Sequence, residues 1–316
     1  MTRDDIPETL MRAALPLIAN GEWARAAESL ERAASLHKAA GRSMDEARCL
    51  QLAATLQRMS GDAGASRRLG ERARAAAPED LPLLVANLAE RATAEAALGR
   101  HEQAVEGFGA CLDKAVEGGL GPNGRIALLR WRAASLIAMG SLAAADADFA
   151  TACGLADPRI AGFLRTEQAA LLLDAGHAAA AARVLPSADQ PDAQLRAEIL
   201  VQRARLARFA DDHAGAAAHA TAARAAALEA VAPVPYFAAS VELAQAMDGQ
   251  DRREKAYAAL TTAWGSLSDL LGCDVARSWV EPCLFALRLR WGDAGFAAVK
   301  NRHDARRRAE LGRPSP

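Results

Sequence analysis

The chain has 316 residues, a formal net charge of -1 and 51% hydrophobic residues, with aromatic residues at only 4%. A near-neutral chain of which 24% is charged lacks the basic excess of a general nucleic-acid binder, so no nucleic-acid partner is expected. Size alone suggests about two domains, a prior that an internal repeat overrides.

The chain opens with MTRDDIPETLMRAALPLIAN, where Asp4 and Asp5 occupy the place in which a secretory leader needs basic residues. No signal peptide is expected. The uncharged run Ala133 to Ala145 is 13 residues long, short of the roughly 18 that cross a bilayer, so no membrane partner is expected. Cys49, Cys111, Cys153, Cys273 and Cys283 are scattered and odd in number, without a CxxC or a Cys/His spacing suited to zinc. Small buried thiols, no metal site and a cytoplasmic location follow as expectations.

From about Leu10 onward, stretches rich in Ala, Leu, Arg and Glu alternate with short Gly or Asp turns, and alternating β-branched runs are lacking. Such a chain is predicted to be all-α. Turn markers fall at Gly21, Gly61, Gly99, Gly140, Gly176, Asp211 and Asp251, at spacings of 40, 38, 41, 36, 35 and 40 residues. Seven residues before each marker stands an alanine: Ala14, Ala54, Ala92, Ala133, Ala169, Ala204 and Ala244. Five after it stand Ala26, Ser66, Ala104, Ala145, Ala181, Ala216 and Ala256. Twelve after it stand Ala33, Ala73, Cys111, Ala152, Ala188, Ala223 and Ala263. Nine after it, Leu30, Phe108, Phe149, Leu185 and Leu260 are large, with Gly70 and Ala220 as exceptions. Helices joined by a tight turn approach closely only where side chains are small, and a bulky neighbour fills the adjoining gap. The columns therefore specify a repeated helical hairpin.

Between the third and fourth hairpins, EGGLGPNGR reads as a long connecting loop rather than a phosphate cradle. It lacks the Lys-Ser/Thr and the preceding strand of a P-loop, and a helix is predicted to begin at Arg125. Ala232-Pro233-Val234-Pro235 reads as an inter-repeat loop. Gly292 lies 41 residues beyond Asp251 in WGDAGFAAV, which suggests an eighth, divergent hairpin, and KNRHDARRRAELGRPSP from Lys300 reads as a basic helical tail. The expected organisation is helical repeats over 1–265, then a capping hairpin and tail over 266–316.

Residues 92–115, ATAEAALGRHEQAVEGFGACLDKA, and 133–158, AASLIAMGSLAAADADFATACGLADP, resemble the tetratricopeptide repeat, whose signature is a small residue, a turn, Ala, an aromatic, Ala and often Pro. The resemblance implies an elongated right-handed α-solenoid of seven to eight antiparallel hairpins. These repeats exceed the usual length of about 34 residues and mostly lack the family's first-helix Trp, Leu and Tyr, so a different curvature is expected. In that family the first helices line the concave, ligand-holding face. Transferred to this chain, the face takes Arg48, Gln51, Thr55 and Arg58; Arg130, Trp131 and Ile137; Phe163, Thr166 and Leu173; Glu198, Val201, Arg205 and Arg208; and Val241 with Gln245. The Lys and Asn set of the family's chaperone-tail clamp is missing.

No GxSxG, HExxH or dinucleotide motif occurs. His101, His177 and His213 follow turn markers and read as solvated turn residues. Trp264, Trp279 and Trp291 read as packing at the end of the array. The expectation is a non-enzymatic scaffold, adaptor or assembly chaperone without cofactors. It would bind a partner protein or peptide through Arg48, Arg58, Arg130, Trp131, Arg205 and Arg208, and charge reversal at Arg205 and Arg208 would weaken binding without unfolding the chain. The alternative is a peptide-gated regulatory protein.

Overall fold

The computed structural model of the chain describes residues 5–115 and 117–311, and among these all regular structure is helical. The helices fall in hairpins: α1 (Asp5–Ala19) with α2 (Trp23–Ala39), α3 (Ser43–Met59) with α4 (Ala63–Ala76), and α5 (Leu81–Ala97) with α6 (His101–Ala115). Next come α7 (Pro122–Ala138) with α8 (Leu142–Leu155), and α9 (Pro158–Asp174) with α10 (Ala178–Val184). The chain continues with α11 (Ala193–Phe209) and α12 (His213–Glu229), α13 (Pro233–Gly249) and α14 (Arg253–Leu271), and finally α15 (Cys273–Leu311). Left-handed backbone at Gly292 (φ 74°, ψ 162°) divides α15 into two helices. By packing the chain forms two compact units, residues 1–164 and 165–316. Consecutive helices from α1 to α8 pack on one another, as do those from α10 to α15, and first helices of successive hairpins also touch: α3 on α5, α5 on α7, and α11 on α13.

Every turn marker adopts the left-handed backbone that closes a helix. At Asp211 the amide donates to the Arg208 carbonyl at 3.0 Å and the next amide, of Asp212, to the Ala207 carbonyl at 2.9 Å. This is the Schellman arrangement that satisfies the last free carbonyls. Glycine tolerates such a turn without steric cost, and Asp can adopt it because its short polar side chain bonds locally. Asp211 and Asp251 do so at φ 56° and 55°. Three of the turns between hairpins use the same device, at Gly41, Gly119 and Val231, the last of which places a β-branched residue at φ 51°. Helix starts are capped in turn: the Asp62, Asp80, Asp192 and Asp212 side chains accept the amides of Ala65, Leu83, Leu195 and Gly215 at 2.7–2.8 Å.

The small columns are the cores of the hairpins. All seven residues before the markers and all seven of the column five after are buried, Ser66 among them. The outer column holds at six of seven positions. Ala188 is only half-buried and outside a helix, because α10 stops at Val184. Leu185 precedes Pro186, and proline both lacks an amide and forces its predecessor out of helical backbone; Leu185 is extended at ψ 126°.

Three local expectations change. The Ala232–Pro235 segment is a helix start rather than a loop, since Pro233 and Pro235 fall in the first turn of α13, where a missing amide costs nothing. The glycine segment is short, because α7 begins at Pro122 and not at Arg125. Cys49 and Cys111 are buried, and burial pushes their thiols up to about 11 and about 12, but Cys273 is exposed.

Two substitutions test this account. Ala133→Leu places a large side chain at a fully buried crossing and should destabilise by about 1–3 kcal/mol in chemical denaturation. Val231→Gly removes a strained left-handed valine whose side chain is exposed, so the melting temperature should rise, by a stability gain of about 1 kcal/mol.

Candidate functional site

The nominated first-helix residues separate into three environments. On α3, Arg48 is exposed with no carboxylate partner among the described residues. Two to three turns on, Thr55 and Arg58 both turn to Glu90 of α5: the Thr55 hydroxyl donates to Oε2 at 3.0 Å and Arg58 Nε to Oε1 at 2.7 Å. Ser66 of α4 donates to the same Oε1 at 3.2 Å. The one hydroxyl in the alanine column therefore completes the shell of a buried carboxylate.

The second unit repeats this arrangement. Arg208 of α11 reaches Glu242 of α13 with Nε to Oε2 at 3.0 Å, and Glu242 is buried. Both pairs occupy the same register: the arginine stands three residues before its marker, the glutamate nine before the next marker. These fixed Arg and Glu offsets are the trace that the pairing leaves in the sequence. Arg205 contacts Asp174, an exposed carboxylate, and Gln202. The nominated arginines Arg58, Arg205 and Arg208 thus join neighbouring hairpins, and what they still offer a partner is their remaining donors.

Arg130 on α7 is half-buried. Its neighbour Trp131 is 41% exposed, with its ring centroid 6.1 Å from that of Phe108. Arg132, beside them, makes a two-point contact with buried Asp148 at 2.8 and 2.5 Å, and the hydrogen bond holds its guanidinium above the ordinary arginine range. Four residues assigned to the open face, Ile137, Thr166, Leu173 and Val201, are buried. A first helix that packs on its neighbours gives up the flanks of its inward face, which a one-helix projection leaves open.

The histidines also depart from expectation. His213 is half-buried, and a Cβ on Gly249 would lie 2.5 Å from its ring, so the ring rests against α13. His37, in the last turn of α2, is buried, and burial, then the Arg42 charge, lowers its pKa. Among the described residues no group of three or more His, Cys, Asp or Glu could hold a metal ion, and no helix is long and apolar enough to cross a membrane.

The late tryptophans pack. Trp291 is buried, its indole amine donating to Asp248 at 2.7 Å, and Trp264 and Trp279 lie against the same core. Arg306 in the basic tail pairs with Glu254 of α14 at 2.9 Å.

A chain of helical hairpins closed by left-handed turns, with small residues at each crossing, is an α-solenoid. Its fold is that of the tetratricopeptide repeat. It is similar in structure to a tetratricopeptide repeat protein from Parabacteroides merdae at TM-score 0.54 and 17% identity, covering 89% of this chain and 99% of that one. Pseudomonas aeruginosa PilF aligns at TM-score 0.46 and 17% identity, over 74% of this chain and 96% of its own. No protein-family model and no curated protein matches the sequence.

The pairing makes reversal at Arg208 a test of stability. Arg208→Glu would set two carboxylates against each other beside buried Glu242 and should cost about 2 kcal/mol in urea unfolding. Arg48→Glu, without such a partner, should leave the unfolding midpoint unchanged.

Proposed function

We infer that the chain is a non-enzymatic interaction protein, a scaffold, adaptor or assembly chaperone that holds a partner protein or peptide on the first-helix faces of its hairpins. The carrying observation is the register of its exposed apolar side chains. Leu52 and Trp131 both stand nine residues before a marker and are 50% and 41% exposed. Met59 and Phe209 both stand two before a marker and are 47% and 48% exposed. Single apolar residues scattered over a surface carry no message, whereas exposed ones two turns apart on one helix face do, as Leu52 and Met59 are on α3. Positions nine and two before the marker are seven apart, so they share a face.

On α3 that face reads Arg48, Leu52, Thr55 and Met59, a cationic end followed by an apolar stripe. Arg130 and Trp131 continue the mixture on α7. Arg58, Arg205 and Arg208 supply donors at its edge while holding adjacent hairpins together. Aromatic and arginine anchors of this kind carry most of the energy in protein interfaces. The five free cysteines fit a reducing, cytoplasmic setting, and the near-neutral charge fits a protein rather than a nucleic-acid partner.

The reading is tested by recovering partners from native lysate with tagged wild type and with a Leu52→Asp/Trp131→Asp variant of equal stability. The variant should lose a stoichiometric partner, with affinity down about thirtyfold or more, as a central hot spot demands. Arg48→Glu should weaken the same association in a salt-dependent way. Equal recovery by wild type and variant overturns the assignment of this face.

A further inference from the structure

The column nine residues after each marker supplies the bulky residue that fills the space beside a helix crossing, and Leu30, Phe108, Phe149 and Leu260 are buried there. The second hairpin has Gly70 instead. A Cβ built on Gly70 meets nothing within 4 Å. Gly70 lines a crevice of about 440 Å³ between α4 and α5 that opens to the surface.

The lining is chemically specific. Asn87 of α5 is only 3% exposed, and neither its Nδ2 nor its Oδ1 has a hydrogen-bond partner. A buried amide with both ends unmet is costly, and native structures satisfy such groups with protein, water or ligand. Leu88 contributes an apolar wall, and Arg74 of α4 and Arg91 of α5 line the same space. Both arginines are exposed and have no carboxylate partner among the described residues, unlike Arg58, Arg132 and Arg208. With Glu71 also in the lining, the two arginines leave the crevice with one net positive charge.

We propose that the crevice between α4 and α5 is a subsite for an acidic residue of a bound peptide. The side-chain carboxylate sits with Arg74 and Arg91, and a peptide unit of the same segment pairs its carbonyl with Asn87 Nδ2 and its N–H with Asn87 Oδ1. A secondary amide offers one donor and one acceptor, as Asn87 requires. A bare carboxylate offers only acceptors, and a free amino acid would bring its ammonium group against two guanidinium groups. The inference rests on the reading of the chain as a binder of protein segments, and it adds a site away from the Leu52, Met59 and Trp131 positions.

The test uses the full chain and blocked tripeptides, acetyl-Ala-Glu-Ala-amide and acetyl-Ala-Gln-Ala-amide, followed by amide shifts in nuclear magnetic resonance. The Glu peptide should shift the Asn87 side-chain amide and the backbone around Gly70, and the Gln peptide should bind at least tenfold more weakly. Gly70→Leu, which restores the bulk found in other hairpins, should raise the melting temperature and abolish the shifts. Asn87→Leu serves the same purpose should Gly70→Leu fail to fold. Equal titration by both peptides, no shift with either, or an unchanged Kd in the filled variant overturns the proposal. Free L-glutamate binding as tightly as the Glu peptide overturns the peptide source. Leu52→Asp/Trp131→Asp should leave the tripeptide Kd unchanged. Loss of a lysate partner in that variant without any tripeptide binding therefore removes the crevice alone, and the reverse pattern removes the broader reading alone.

Discussion

Two helices joined by a three-residue turn approach closely only if the side chains at their crossing are almost absent. The rest of this structure depends on that steric condition. Alanine at Ala14, Ala54, Ala92, Ala133, Ala169, Ala204 and Ala244 meets it on the first helix, and the column from Ala26 to Ala256 meets it on the second. The turn must then reverse the chain at once, which requires one left-handed residue at the end of the first helix. Small crossing and left-handed turn are two faces of one requirement, and they recur together.

Close approach through alanine has a consequence for energetics. Alanine buries little apolar area, so each crossing contributes less hydrophobic stabilisation than a leucine-rich one. Two other devices supplement it. Large residues such as Phe108 and Phe149 fill the space beside the crossing, and buried carboxylates link successive hairpins through arginine. Glu90 takes Thr55, Arg58 and Ser66; Asp148 takes Arg132; Glu242 takes Arg208. Buried ion pairs contribute little net stability compared with apolar packing, yet a carboxylate left without its arginine is costly. Such pairs select one register of stacking against its neighbours, which a surface of near-identical alanines cannot do.

Turns and columns were legible in the sequence because both are local: a marker and residues within twelve positions of it obey fixed helical geometry. The break of α10 at Val184 is legible too, since Leu185-Pro186 is a local stop, and it takes Ala188 out of the outer column. The fate of the arginines was not local. Whether Arg58 faces a partner or Glu90 depends on a residue 32 positions away in the next hairpin. The burial of His37, Ile137 and Val201 depends likewise on how one helix lies over another. A helical projection assigns a face to each residue and is blind to what covers that face.

The departures from the repeat are more informative than the repeat itself, and they fall into two kinds. Leu185 and Val231 depart at positions of backbone geometry, one ending a helix and the other straining a turn, and neither adds a functional group. Gly70, Ser66 and Trp131 depart at packing positions, and each alters chemistry. Gly70 omits the filling side chain beside buried, unpartnered Asn87; Ser66 puts a hydroxyl on Glu90; Trp131 raises an aromatic ring into solvent at the register where Glu90 and Glu242 are buried. All three belong to the second to fourth hairpins. A repeat held by steric necessity has few positions free to vary, so under the proposed function the substitutions that forgo packing in this stretch are where stability is exchanged for recognition.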